Sequence, residues 1–79
     1  MTNVERWGAK QRQDIIDMIE FGEDHDAIIA ESDAILYGML GAIEVLEARG
    51  LHDDASDVRH EFTRANSAQR TYKMERNHA

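Results

Sequence analysis

The chain has 79 residues with no cysteine and no proline, a formal net charge of −7, and 42% apolar against 32% charged residues. A chain this short buries roughly 60% of its unfolded surface and is marginally stable by itself. Without thiols it has neither a disulfide nor a thiolate metal site to help. The first twenty residues carry Arg6, Lys10 and Arg12 and no long apolar run, which argues against a signal peptide or a membrane span. The expectation is a cytoplasmic protein with one small helical domain over residues 1–79 and no contact with membrane. The absence of proline favours long, uninterrupted helices.

Charge is unevenly placed. Residues 1–13 hold three basic groups against one acidic, residues 14–57 hold thirteen acidic against Arg49 alone, and residues 58–79 hold five basic against two acidic. An acidic middle between basic ends repels phosphate and disfavours nucleic acid as a partner for the whole chain. It favours a basic protein surface, or head-to-tail neutralisation within an oligomer.

In chain order, Thr2 followed by Glu5 forms a capping box that starts a first helix near Asn3. Val4, Trp7, Ile15, Ile16 and Ile19 fall on one broad face of it, and Gly8 weakens its first two turns. Gly22 is a C-cap residue, and Asp24 or Asp26 caps the next helix at its positive end.

That second helix, predicted over about 26–49, carries Ile29, Leu36, Met39, Ile43 and Leu46 with Ser32 between the first two. The three–four spacing is the seam of a helix packed on another helix. Beside it run Ala30, Ala34, Gly38 and Ala42, four apart on one face, a shallow groove that admits a close neighbouring backbone. Gly38 and Gly41 stand mid-helix, each costing on the order of 1 kcal/mol against alanine. Arg49-Gly50-Leu51 reads as a Schellman stop with Leu46 as its hydrophobic partner.

Asp53 or Asp54 then caps a third helix, predicted over about 53–74 with fraying beyond. Ala55, Val58, Phe62, Ala65, Gln69 and Tyr72 form its seam. The fold expected is all-α, an antiparallel hairpin of the second and third helices. The shorter first helix either completes a three-helix bundle or reaches across to a second copy. A C₂ homodimer follows from the thin core, with Ala30, Ala34, Gly38 and Ala42, flanked by Leu36, Met39 and Ile43, as the contact.

Candidate chemistry is sparse. His25 lies within Glu23-Asp24-His25-Asp26 and His52 precedes Asp53-Asp54, but both clusters fall where helix caps are expected, and capping accounts for the acids without a metal. Glu20/Glu23 and Glu44/Glu47 are carboxylates three apart, as in magnesium-dependent all-α pyrophosphohydrolases. The spacing is common on any acidic helix, and phosphate-binding lysines are not near. No nucleophile elbow, Gly-rich phosphate loop or strand pattern is present. The expectation is a protein that is not an enzyme and uses no cofactor and no metal.

Two function classes remain. In the first, a small acidic interaction module inhibits or regulates a larger partner by covering its basic surface. Asp14, Asp17, Glu20, Glu23, Asp24 and Asp26 form the contact and Trp7 is its aromatic anchor. Small acidic helical chains of this kind are frequent among phage-encoded inhibitors of host machinery, an association of size and charge that rests on no motif. In the alternative, a regulator touches nucleic acid through Arg59, Arg70 and Lys73, which share one side of the third helix.

Overall fold

A computed structural model describes residues 1–78. Three helices follow one another: α1, Asn3–Phe21; α2, His25–Ala48; α3, His52–His78. The N-terminus of α1 lies beside the C-terminal half of α2, and both helices pack along α3 more extensively than on each other. The first helix therefore completes a three-helix bundle within the chain. The bundle measures 44 × 20 × 16 Å.

The helix ends follow the local chemistry. Thr2 Oγ1 accepts from the Glu5 amide and the Glu5 carboxylate accepts from the Thr2 amide, both at 3.1 Å. The Thr2 backbone bond, then the Thr2 side chain, hold the Glu5 carboxyl below its ordinary pKa. Asp24, not Asp26, is the N-cap of α2, its carboxylate accepting from the Asp26 and Ala27 amides. At the far end of α2 the Leu51 amide bonds Leu46 O at 2.9 Å and the Gly50 amide bonds Glu47 O at 3.0 Å. Gly50 lies at φ 77°, the left-handed position that the Schellman motif assigns to glycine.

Two boundaries differ from the sequence expectation. Helix α3 begins at His52, because the Leu51 carbonyl already accepts from the Ala55 amide; Asp53 and Asp54 lie inside its first turn. It also runs past 74 to His78. Gly22 does end α1, but with extended backbone at φ −73°, ψ 146°. Its missing side chain has a packing reason: a Cβ there would lie 2.4 Å from Met18 O and 2.9 Å from the Ile28 side chain.

The core takes Ile15 from α1, Leu36, Met39 and Ile43 from α2, and Ala55, Val58 and Ala65 from α3. Leu36, Met39 and Ile43, expected to flank an interface between copies, thus face the chain's own core. Ile28 is buried where Ile29 was expected, since it packs under Gly22 as the chain turns from α1 into α2. Gly8, read as a weak point, is buried against Glu61 and Val58 of α3. Just beyond it Arg12 pairs with Glu61, both side chains largely covered, and Arg64 stands 3.6 Å from the other Glu61 oxygen.

The two polar seam residues meet in the middle. Gln69 Nε2 donates to Ser32 Oγ and to Asp33 Oδ1, each at 2.7 Å, while Ser32 Oγ donates to Ile29 O at 3.2 Å. Ser32 and Gln69 are both buried, so this contact fixes the axial register of α2 against α3: a shift of one residue strands two buried polar groups. Replacing Gln69 by methionine removes the donor to Ser32 and Asp33 and is expected to destabilise the protein by about 1–3 kcal/mol. Adding Ser32→Ala to that variant is expected to cost less than the sum of the two single changes. Urea unfolding of the four proteins of this cycle measures the coupling; additive losses would show that the contact does not set the register.

Candidate functional site

The carboxylates named from the sequence gather where α1 ends and α2 begins. Asp14, Asp17 and Glu20 lie on the last turns of α1, Glu23 and Asp24 in the connection, and Asp26 in the first turn of α2. Asp17, Glu20, Glu23, Asp24 and Asp26 are exposed. Asp14 pairs with Lys10 at 2.8 Å and Asp17 accepts from Gln13 Nε2 at 2.8 Å.

These acids do different structural work. Asp24 and Asp26 sit at the positive end of α2, where the helix dipole favours them. Asp17 and Glu20 sit at the negative end of α1, whose last turn has no basic residue, so there the dipole opposes them. Apart from the bond that Asp17 accepts from Gln13, their charge works against the helix that carries them.

Phe21 stands in the middle of this group, the last residue of α1, with 77% of its surface exposed. The sequence reading put the aromatic anchor at Trp7. In the structure Trp7 lies fourteen residues earlier on the same helix, about 21 Å away at 1.5 Å per residue, and lines an apolar groove with Val4, Gly41, Val45 and Leu46 instead. Phe21 was legible as the residue next to the C-cap glycine; what hid its exposure was the apolar period of α1, which has Ile19 and Ile16 packed inward just before it.

Of the two cluster histidines, His25 is engaged with α3. His25 Nδ1 lies 2.8 Å from the Tyr72 hydroxyl with ring centroids 5.4 Å apart, tying the start of α2 to α3. Among the described residues no three His, Asp or Glu side chains converge on one point. Of the proposed phosphate contacts, Arg59 pairs with Glu47, and Lys73 lies 4.0 Å from Asp33. Arg70 is exposed. The small residues of α2 are open: Ala30, Ala34 and Gly38 are exposed, Ala42 is half-buried, and a Cβ added at Gly38 or Gly41 would meet nothing within 4 Å. Among the described residues no helix is long and apolar enough to cross a membrane.

Comparison of the chain with protein-family models, curated proteins and solved structures gives no match.

The division of labour among the carboxylates is measurable. Asp24→Ala is expected to lose an N-cap and about 1 kcal/mol of stability. Asp17→Asn with Glu20→Gln is expected to leave the melting temperature unchanged or raise it, because both relieve an opposed dipole. Thermal unfolding by circular dichroism compares them; a large loss in the second variant would mean that these acids hold the fold.

Proposed function

We propose that the protein is a non-enzymatic interaction module, an inhibitor or regulator that seats its acidic α1–α2 corner on a basic surface of a larger cytoplasmic protein. The observation that carries this reading is Phe21, 77% exposed among Asp17, Glu20, Glu23, Asp24 and Asp26. An exposed ring costs hydration without serving the core, and two of the surrounding acids oppose the dipole of their own helix. Features that work against local stability point to contact with something else. The arrangement has the form of an interface hot spot: an aromatic that inserts, ringed by charges that steer and orient. A basic groove that otherwise holds nucleic acid matches this chemistry, and occupying it would block that use, as a phage-encoded inhibitor of host machinery would. The module acts as a homodimer in this proposal, its two acidic corners presented by one particle.

The test is capture of partners from cell lysate by the parent, by an Asp14/Asp17/Glu20/Glu23 variant carrying the matching amides, and by Phe21→Ala. Both variants are expected to lose the proteins held by the parent while keeping its circular dichroism spectrum. Binding by the parent is expected to weaken as salt rises. Return of the same proteins with all three would reduce the corner to a solvated face. Binding of random DNA or RNA by the parent, falling steeply with salt and abolished by Arg59, Arg70 and Lys73 changes, would favour the nucleic-acid regulator in its place.

A further inference from the structure

Helix α2 carries a second apolar face besides the one it buries. At 3.6 residues per turn, Tyr37, Ala30, Gly41, Ala34, Val45 and Gly38 form a continuous arc opposite the buried Met39, and that arc contains no charge. Tyr37 is 73% and Val45 54% exposed. Glu44 borders the arc on one edge; Glu31 and Arg49 border it on the other. Along this second edge runs a groove of about 430 Å³, floored by Val58 and walled by Val4 and Trp7 of α1 against Ala42 and Leu46 of α2. An apolar helix face of this extent is ordinarily covered by another surface.

We infer that the occupant is a second copy of this chain, whose α2 crosses antiparallel at Gly38 and Gly41 and closes a two-fold interface. The charges choose this occupant and its direction. With the two-fold axis level with Leu40, Glu31 and Arg49 each lie nine residues from it on the same edge. Glu31 therefore comes level with the partner's Arg49, and the partner's Glu31 with Arg49. Among the described residues neither Glu31 nor Arg49 belongs to an ion pair within the chain. On the opposite edge Glu44 comes within one residue of the partner's Tyr37, whose hydroxyl can donate to it. A parallel two-fold pairing instead turns this edge toward the partner's opposite edge, where Glu31 comes nearest the partner's Asp33 and no longer meets Arg49. The same register brings the partner's Ala34 and Gly38 level with Leu46 and Ala42, where small residues leave room for the Trp7 wall. The two open glycines let the backbones approach without displacing anything inside either chain.

This inference rests on the dimeric reading above but not on the acidic corner. The chain has no cysteine of its own, so single-cysteine variants report geometry directly. Gly41→Cys lies beside the axis and is expected to form a disulfide-linked dimer under mild oxidation. Ala30→Cys is expected not to link to itself, since the two copies would be about 30 Å apart along the helices, but to link to Ala48→Cys when the two proteins are mixed. In sedimentation equilibrium Glu31→Arg and Arg49→Glu are each expected to weaken the dimer at least about tenfold, near 1.4 kcal/mol, and the double exchange to restore it. Val45→Asp is expected to give a monomer with an unchanged helical spectrum. A parent that is monomeric at high concentration would overturn both the dimer and this pairing. A parent dimer that ignores Val45→Asp, or in which Ala30→Cys links to itself, would overturn the pairing alone.

Discussion

The bundle depends on α3 having to satisfy two neighbours at once. Its seam residues Ala55, Val58 and Ala65 are small, so they let α1 and α2 close in from either side without filling the space between them. Each neighbour is then located by a polar contact. Gln69 bonds Ser32 and Asp33 on the α2 side, and Glu61 holds Arg12 on the α1 side. A hydrophobic seam of small side chains slides at little cost; a buried amide that must find its acceptor does not. In a chain whose largest fully buried side chains are Ile15, Met39 and Val58, these polar contacts supply the specificity that a larger core would supply by shape.

This economy leaves surface over. Because α3 lies between the other two helices, α1 and α2 meet each other only slightly, and each keeps an uncovered outer face. The two faces differ in kind. That of α1 collects carboxylates around an exposed phenylalanine at its C-terminal end, whereas that of α2 is small, apolar and uncharged along its middle. The first suits a charged partner met from solution and the second a close, dry helix contact. The thin core and the two unlike surfaces follow from the same division of a short sequence among three long helices.

The glycines show how one residue type answers different constraints. Gly50 supplies a left-handed backbone at the end of α2, and Gly22 gives way to Ile28 and the Met18 carbonyl at the end of α1. Gly8 lets α1 lie close on α3. Gly38 and Gly41 satisfy none of these needs within the chain, since nothing approaches them. Two helix-weakening residues on an open face are unexplained by the monomer, which is why they bear on assembly.

The sequence by itself determined the helices, most of their ends and most of the seams. Capping boxes, N-caps and the Schellman stop are interactions among residues within five or six positions of each other, and the three–four period states which face must be covered. Thr2 with Glu5, Leu46 with Leu51, and the seams through Met39 and Val58 were legible for that reason. Ser32 and Gln69 were legible as polar residues on apolar seams, though not as partners, since a seam does not state its register. Tertiary structure alone decided that α3 is the helix shared by both neighbours, that Leu36, Met39 and Ile43 are used up inside one chain, and that Trp7 and Phe21 stand at opposite ends of α1 in different surroundings. Those outcomes depend on which faces meet across the bundle. Periodicity shows that a face is apolar; only the arrangement of all three helices shows whether anything covers it.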